Sequence, residues 1–334
     1  MGELKDVARK LVEGGKGVFA ADASPKTLEK RFADMGTEVK DAQNRLKYRL
    51  MTVAAPGLGE YIGGVILHDE AIRNEEIRRV VTGQGMMVGI KVDGGTADMP
   101  GNPMEKVTEG LEGLELRLAE YSQWGAKFCK WRAIVGIGEN LPSEFCMRTN
   151  AQRLAWYAAS AQKMGLVPIV EPEVLMEGDH TVQKCGEVTE VWGRMVYEEL
   201  RKQGVDLEGM LYKPNMVVAG KDCPTQPSDS EVAKLTVEVM RRTVPMEVPG
   251  VCFLSGGMAA KSATARLNEI ASLGSGALWK WSFSFERAIE QPAMKIWGGR
   301  DENAEVAQKA LVHRAKMNSL ASGGMYDPAM EKEI

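Results

Sequence analysis

Charged side chains stand at the ends of short apolar runs in this chain of 334 residues. A charge buried in an apolar segment costs several kcal/mol unless it is paired with an opposite charge or binds a ligand. A single lysine or glutamate in such a place is most often a salt-bridged strand end. Lysines, arginines and carboxylates that converge on one place instead favour a site for an anionic substrate. The runs with such ends include GVFAAD (17–22), MVGIKVD (87–93), FCKWR (128–132), VPIVEPEV (167–174) and GMLYKPN (209–215).

The lysines point to nucleophilic chemistry. A lysine amine attacks a ketone and forms a Schiff base only when it is unprotonated. The reference pKa of a lysine is ~10.4, and lowering it to about 7 requires roughly 4 to 5 kcal/mol of differential stabilisation. Burial and a second ammonium nearby both act in that direction. Lys213 and Lys130, on separate strands, could form such a pair, and Glu171 or Glu173 could move the protons that expel water from the carbinolamine.

The sequence lacks the motifs of several other classes of enzyme. The three histidines, His68, His180 and His313, have no HxH or HExxH spacing, which argues against a histidine-bound catalytic zinc. Carboxylates could still bind Mg²⁺, but the neighbouring lysines would oppose a cation. Gly136 and Gly138 lack the third glycine of a dinucleotide fingerprint, and neither a P-loop nor a GxSxG elbow occurs. We therefore predict neither a metal nor a cofactor.

The elements that position these residues repeat along the chain. Short apolar runs alternate with helical segments, such as Thr149 to Gly165 and Ser228 to Pro245, the second with a capping box of Ser228 and Glu231. Several runs lack strict alternation, which is typical of strands buried on both faces. This order favours an α/β fold with a single (β/α)₈ TIM barrel domain over residues 1–334 and a short C-terminal tail from about residue 322. The remaining runs are IGGVILH (62–68), GVCFLSGG (250–257) and LWKWSFSF (278–285).

Composition narrows the possible partners and compartment. Hydrophobic residues make up 44% of the chain and charged residues 26%, and the formal net charge is −4, which argues against a nucleic-acid-binding surface. No stretch approaches the roughly 20 apolar residues of a membrane span. The five cysteines form no CxxC pair, which suits reduced thiols. We expect a cytoplasmic enzyme that binds neither nucleic acid nor membranes.

Seven strand-end motifs resemble those of class I fructose-bisphosphate aldolases, in order from about Leu4 to about Tyr326. The resemblance implies reversible cleavage of fructose 1,6-bisphosphate to dihydroxyacetone phosphate and glyceraldehyde 3-phosphate, without a cofactor. It also implies a homo-oligomer, commonly a tetramer, that takes small sugar phosphates. The motifs are AADAS (20–24), IGGVIL (62–67), GIKVD (89–93), KWR (130–132), IVEPE (169–173), LYKPN (211–215) and FLSGG (253–257).

The resemblance also implies a role for each catalytic candidate. Lys213 would be the Schiff-base lysine, and Glu171 would be the general acid and base for carbinolamine formation and dehydration. Glu173 would assist Glu171. Lys130 would favour the neutral amine of Lys213 and help to place the substrate. Asp22 would accept the proton of the hydroxyl whose loss breaks the carbon–carbon bond.

Two phosphate sites follow from the same resemblance. The phosphate on the ketone side would bind through Ser255, Gly256, Gly257, Ser284 and Arg287. Contacts to the rest of the substrate or to its second phosphate are expected from Ser24, Thr27, Arg31, Lys91 and Arg132. Ser24 and Thr27 could equally be caps of a helix that begins near Leu28, and Arg31 could be an exposed helical charge.

Two departures from the family pattern leave the substrate open. Glu286 stands where the family typically has glycine, so a required positive φ or a close phosphate approach would be disturbed. The tail also lacks the terminal tyrosine that some family members carry, and Tyr326 lies too early in the sequence to match it. Sedoheptulose 1,7-bisphosphate or fructose 1-phosphate are alternative substrates of the same chemistry, and a catalytically silent scaffold is an alternative of another class.

Overall fold

Eight parallel strands form a closed barrel in the computed structural model, which describes residues 2–37, 39 and 41–332. The barrel strands are β1 (Gly17–Ala21), β2 (Ile62–Leu67), β3 (Met87–Lys91), β6 (Phe128–Val135), β7 (Val167–Val174), β8 (Leu211–Tyr212), β9 (Gly250–Phe253) and β10 (Lys280–Phe285). Going round the barrel, the order is β1, β10, β9, β8, β7, β6, β3 and β2. The predicted TIM barrel is therefore confirmed.

Helices connect and surround these strands. None of those in the described residues combines the length and apolarity that crossing a lipid bilayer requires. Their bounds are α1 (Gly2–Val12), α2 (Pro25–Asp34), α3 (Ala42–Val53), α4 (Asp69–Ile72), α5 (Glu75–Gly83), α6 (Leu114–Gln123), α7 (Glu144–Lys163), α8 (Val182–Lys202), α9 (Asp229–Thr243), α10 (Ala260–Leu273), α11 (Arg287–Trp297) and α12 (Ala304–Ser322).

Of the two helices predicted from the sequence pattern, α7 begins earlier than predicted. The hydroxyl of Ser143 accepts a hydrogen bond from the backbone N–H of Cys146 at 3.1 Å, so α7 begins at Glu144 rather than at Thr149. The end of α7 agrees with the prediction, because Gly165 follows it with a φ of +75°. The hydroxyl of Ser228 caps α9 in the same way, as predicted.

The barrel separates two apolar layers. Inward side chains of the strands pack with α1, which closes the amino-terminal end of the barrel through Leu4, Ala8, Leu11 and Val12. A much larger layer lies between the strands and the surrounding helices. Because the lower part of the lumen is filled, polar groups can line only its carboxyl-terminal end. The inner layer consists of Val18, Ala20, Ile66, Phe128, Val167, Ile169, Leu211 and Cys252.

A β-hairpin that the sequence reading did not predict follows β3. Its strands, β4 (Thr96–Met99) and β5 (Asn102–Thr108), pair antiparallel outside the barrel. Glu105 on β5 is 5% exposed and accepts hydrogen bonds from the N–H and the hydroxyl of Ser143, both at 2.6 Å. This carboxylate therefore ties the hairpin to the residue that caps α7.

Candidate active site

One cavity of about 610 Å³ opens at the carboxyl-terminal end of the barrel strands. Every residue that the sequence singled out for the site lines it except Gly257, which lies next to the guanidinium of Arg287. The cavity thus brings together residues from the ends of all eight barrel strands and from α2. The predicted residues around it are Asp22, Ser24, Thr27, Arg31, Lys91, Lys130, Arg132, Glu171, Glu173, Lys213, Ser255, Gly256, Ser284 and Arg287.

Strand alternation explains why the charges face the lumen. On β6, Phe128 belongs to the inner apolar layer, so Lys130, two residues later, points the same way at a higher level. Trp131 points outward and stacks on Tyr157 of α7, with ring centroids 5.5 Å apart. On β7, Ile169 is followed in the same manner by Glu171. The same periodicity therefore places apolar side chains low in the lumen and ionisable ones at its mouth.

A carboxylate between two lysines forms the centre of the cavity. Glu171 Oε1 lies 3.1 Å from Lys213 Nζ, and its Oε2 lies 3.1 Å from Lys130 Nζ. Lys130 Nζ also lies 2.8 Å from Asp22 Oδ2. The exposed fraction of each of these four residues is 7% or less. Two cations and two anions are thus buried as one neutral chain of ion pairs, which offsets part of their desolvation cost.

Neighbouring charges set the ionisation of Asp22 and Lys130. Burial by itself would raise the pKa of Asp22, but the ammonium groups of Lys130, Lys213 and Lys91 hold it well below its ordinary value. Burial would lower the pKa of Lys130, but Asp22 and Glu171 raise it above its ordinary value. Asp22 is therefore a carboxylate and Lys130 an ammonium throughout the neutral range.

Backbone contacts hold Lys213 at the edge of the barrel. It directly follows β8, and its N–H donates to the carbonyl of Val170 at 2.8 Å, which extends the pairing with β7. Asn215, 3% exposed, accepts a hydrogen bond from the N–H of Val174 at 2.9 Å through its side-chain oxygen. The segment after β8 is thus tied to β7 on both sides of Pro214, and the lysine is fixed beside Glu171.

A second layer of ion pairs lies nearer the rim. The Lys91 ammonium lies 2.6 Å from Asp93 Oδ1, and Asp93 Oδ2 accepts a hydrogen bond from the backbone N–H of Arg132 at 3.2 Å. The guanidinium of Arg132 donates to Glu173 Oε2. Glu173 thus contacts an arginine rather than either buried lysine. Burial would lower the pKa of Arg132, but Glu173 raises it above its ordinary value.

The turn after β9 and the end of β10 form a site with unused hydrogen-bonding groups. Gly256 and Gly257 have φ values of +55° and +91°, and a Cβ at Gly257 would lie 2.8 Å from a terminal nitrogen of Arg287. Only glycine lets the guanidinium approach so closely. The hydroxyl of Ser284 is buried without a hydrogen-bond partner in the described residues. This geometry suits an anion.

The opposite side of the cavity is formed by the start of α2. Ser24 is the N-cap of this helix, since its hydroxyl accepts from the N–H of Thr27 at 3.2 Å. It also lies 2.9 Å from the Thr27 hydroxyl. The helix begins at Pro25, three residues before the predicted start near Leu28. Both hydroxyls line the cavity, so the capping role and the position in the site are compatible.

Glu286 does not have the positive φ that the glycine of the family pattern suggested. Its φ is −105° and its ψ is −86°, so a glutamate is accommodated without left-handed strain. Its carboxylate lies 2.9 Å from a terminal nitrogen of Arg31. Arg31 is therefore not an exposed helical charge but a cavity residue held by an acid.

The structure adds residues that the prediction did not assign to the site. Asp93 is visible in the sequence as a strand-end acid, and His68 ends the second apolar run. His68 caps α4 through its Nδ1, and burial lowers its pKa below the ordinary value. Glu290, which also binds Arg31, gives no sequence signal because it lies inside α11.

No group of three or more His, Cys, Asp or Glu side chains in the described ranges is arranged to hold a metal ion.

Comparison with known proteins identifies the family. A model of glycolytic class I fructose-bisphosphate aldolases matches residues 3–334. The probable fructose-bisphosphate aldolase class 1 of Xanthomonas campestris pv. campestris is 44% identical over 330 residues, covering 97% of this chain and 98% of the relative. The muscle-type fructose-bisphosphate aldolase of Lethenteron camtschaticum is 41% identical over 331 residues, covering 98% of this chain and 91% of the relative.

A solved structure shows the same architecture. The fructose-bisphosphate aldolase of Plasmodium falciparum, in complex with TRAP and a small molecule inhibitor, superposes with a TM-score of 0.95 at 40% sequence identity. The match covers 98% of this chain and 95% of that one. The family model, the near-complete relatives and the shared barrel together show that this chain belongs to the class I fructose-bisphosphate aldolases, a family of lyases, as its strand-end motifs predicted.

Proposed function

We propose that this chain cleaves fructose 1,6-bisphosphate reversibly to dihydroxyacetone phosphate and glyceraldehyde 3-phosphate through a Schiff base at Lys213. The observation that carries the proposal is the position of Glu171, whose two oxygens each lie 3.1 Å from a buried lysine nitrogen. The nucleophile and its proton acceptor are thus adjacent, and Lys130 supplies a fixed positive charge beside them. Family membership supports the reaction class.

In the first half of the reaction, Glu171 takes a proton from Lys213, and the free amine attacks the ketone carbon of the sugar phosphate. A carbon–nitrogen bond forms and the carbonyl oxygen becomes a hydroxyl. Glu171 then returns a proton to that hydroxyl, which leaves as water and gives the iminium. Glu171 Oε2 accepts no aligned hydrogen bond in the described residues, which leaves it available to the substrate. Glu173 assists by holding Arg132 at the rim.

In the second half, Asp22 accepts the proton of the hydroxyl on the carbon that becomes the aldehyde. The carbon–carbon bond breaks, and its electron pair moves into the iminium to give an enamine. Lys130 keeps Asp22 ionised, because the two atoms of their ion pair lie 2.8 Å apart. Protonation of the enamine and hydrolysis of the resulting iminium release the ketone product and restore Lys213.

Two groups of residues are proposed to hold the phosphates. Arg287 and the buried, unpartnered hydroxyl of Ser284 support a phosphate on the ketone side, together with Ser255, Gly256 and Gly257. The far end of the sugar lies toward Ser24, Thr27, Arg31, Lys91 and Arg132. Fructose 1-phosphate and sedoheptulose 1,7-bisphosphate are the alternative substrates, because both carry the ketone-side phosphate. Their catalytic efficiencies are to be compared with that of fructose 1,6-bisphosphate.

We further propose a cytoplasmic homotetramer that takes only small sugar phosphates. Reduced thiols favour this compartment, since the five cysteines are all free and buried. Leu116, Phe145 and Trp156, on α6 and α7, are 79%, 68% and 59% exposed and support burial of this face between subunits. Sedimentation of the purified protein measures the state directly, and a monomer at working concentration would contradict it.

The cleavage assay tests the proposed function. Purified protein is incubated with fructose 1,6-bisphosphate, and the triose phosphates are measured by a coupled dehydrogenase, with and without excess EDTA. We expect cleavage that EDTA leaves unchanged and that Lys213→Ala abolishes while the variant still folds. Loss of activity with the chelator, or retention of activity in the variant, would contradict the Schiff-base mechanism.

A further inference from the structure

His68 enters the active-site cavity from the side of the barrel opposite Lys213. It directly follows β2, which is the fourth strand from β8 in either direction round the barrel. Ile66 on β2 belongs to the inner apolar layer, so His68, two residues later, points the same way at the mouth of the lumen. A sugar that is bound to Lys213 and extends across the lumen therefore approaches the His68 ring.

The neighbours of His68 are residues that the proposed function places at the far part of the sugar. β2 pairs with β1 on one side and with β3 on the other, and the register of these pairs, continued along the strands, places Asp22, His68 and Lys91 side by side. All three line the cavity. The ketone-side phosphate is instead assigned to the ends of β9 and β10, which lie between β8 and β1. His68 therefore lies beside the part of the sugar that becomes the aldehyde.

The two ring nitrogens of His68 differ in their contacts. Nδ1 accepts a hydrogen bond from the backbone N–H of Glu70 at 3.3 Å, which caps α4. Burial, together with the positive charges of Arg49 and Lys91, lowers the pKa of the ring below its ordinary value, so the ring is neutral at pH 7. A neutral ring that accepts at Nδ1 carries its proton on Nε2. Within the described part of the chain, Nε2 makes no hydrogen bond or ion pair, so its N–H can donate into the cavity.

We propose that His68 binds the aldehyde half of the sugar through a hydrogen bond from its Nε2–H to an oxygen beyond the carbon–carbon bond that breaks. The inference rests on the proposed function. Because the ring is neutral, it holds this half of the sugar without forming an ion pair with the carboxylate of Asp22, which must accept a proton there. The ketone half does not need the contact, since dihydroxyacetone phosphate ends at the bond that breaks.

Two reactions separate the halves of the substrate. Dihydroxyacetone phosphate alone forms the iminium and the enamine at Lys213, so the protons on its reacting carbon exchange with deuterium from D2O, which NMR follows. Cleavage of fructose 1,6-bisphosphate also requires the aldehyde half. We expect His68→Phe to lower kcat/KM for cleavage by about threefold to tenfold, the range of one hydrogen bond. The exchange rate changes by less than about twofold, because the ketone half does not touch the ring.

His68→Asn and His68→Gln are the matched pair that separates binding from helix capping. The side-chain oxygen in His68→Asn replaces Nδ1 and keeps the cap of α4, but no donor replaces Nε2. The amide nitrogen in His68→Gln replaces the Nε2 donor and the cap is lost. We expect His68→Asn to lose as much cleavage as His68→Phe, and His68→Gln to keep at least about half of the wild-type kcat/KM.

The opposite order of the matched pair would show that His68 acts only as a helix cap, and it would overturn the inference. An equal loss in cleavage and in exchange would overturn it as well. If the wild-type protein exchanges and cleaves, and all three variants match it, the inference alone fails. If the wild-type protein does neither, the proposed function fails.

Discussion

Replacing Glu171 by glutamine separates proton transfer from the shape of the site. Glutamine keeps the volume of the side chain and removes the only acid within ion-pair distance of Lys213 in the described residues. At 3.1 Å and an effective dielectric constant of about 20, each of the two ion pairs of Glu171 is worth about 5 kcal/mol of Coulomb attraction. The cost of removing the charged carboxylate from water, several kcal/mol in the wild-type protein, is absent in the glutamine variant.

Glu171→Gln is expected to affect both stability and catalysis. We expect the free energy of unfolding to fall by about 3 to 5 kcal/mol, because the substitution leaves the buried ammonium of Lys213 without its acidic partner. We expect kcat to fall by about 100-fold to 10,000-fold, the usual contribution of a general acid and base. The KM for the sugar changes by less than about threefold, since no phosphate contact is lost.

Single-turnover measurements of Schiff-base formation, together with urea unfolding, check this expectation. Glu173→Gln is the comparison, because it removes the same charge from the same face of β7 but pairs with Arg132. We expect the loss in Glu173→Gln to be at least about tenfold smaller. A Glu171→Gln enzyme that keeps more than about a tenth of the wild-type kcat would refute the role of this carboxylate in proton transfer.

Three further changes address other parts of the site and fold. Ser284→Ala should raise the KM for sugar phosphates by about threefold to tenfold with kcat unchanged, because it removes a hydroxyl free to bind a charged group; an unaltered KM in steady-state kinetics would contradict this. The folded-state pKa of Asp22 is depressed, so its carboxylate stabilises the fold above the unfolded value of about 4, and that stability is lost as the pH falls further. Asp22→Asn should therefore flatten the acid side of a plot of unfolding free energy against pH, and an unchanged slope below about pH 5 would count against the ion pair. Gly89→Ala should destabilise the protein by about 1 to 3 kcal/mol in urea unfolding, since its Cβ would lie 2.3 Å from the ring of Phe128. A variant as stable as wild type would show that the ring can move away.

Much of the barrel could be predicted because its strands are buried on both faces. GVFAAD and IGGVILH are apolar except at their last residue, VPIVEPEV has charges only in its second half, and each became a strand. Prediction was poorer at the ends of elements. GMLYKPN suggested seven residues of strand, but β8 covers only Leu211–Tyr212, since Pro214 cannot donate a backbone hydrogen bond. GVCFLSGG likewise ends as a strand at Phe253, ahead of a turn in which Gly256 and Gly257 adopt positive φ.

The hairpin after β3 could not be predicted from hydrophobic pattern. Its strands are short and mostly polar, and Met104 on β5 is 76% exposed, so no alternating apolar face marks them. The hairpin is held instead by long-range contacts, such as those of Glu105 with Ser143. Contacts between residues far apart in sequence leave no local pattern to read.

The candidate site shows the same division between local and long-range information. Strand-end position identified Lys130, Glu171 and Lys213, because alternation fixes which way a side chain on a strand points. The pairing of Arg31 with Glu286 and Glu290 could not be predicted, since it joins α2 to α11 across more than 250 positions of the chain. The glycine expectation at 286 assumed a backbone conformation that the residue does not adopt.

Covalent trapping identifies the lysine that forms the Schiff base. The protein is mixed with dihydroxyacetone phosphate and sodium borohydride, digested, and sequenced by tandem mass spectrometry. We predict that the reduced adduct lies on the peptide containing Lys213 and is absent from Lys213→Ala. An adduct on Lys130 or Lys91, which share the cavity, or no adduct in an otherwise folded protein, would show that Lys213 is not the Schiff-base lysine.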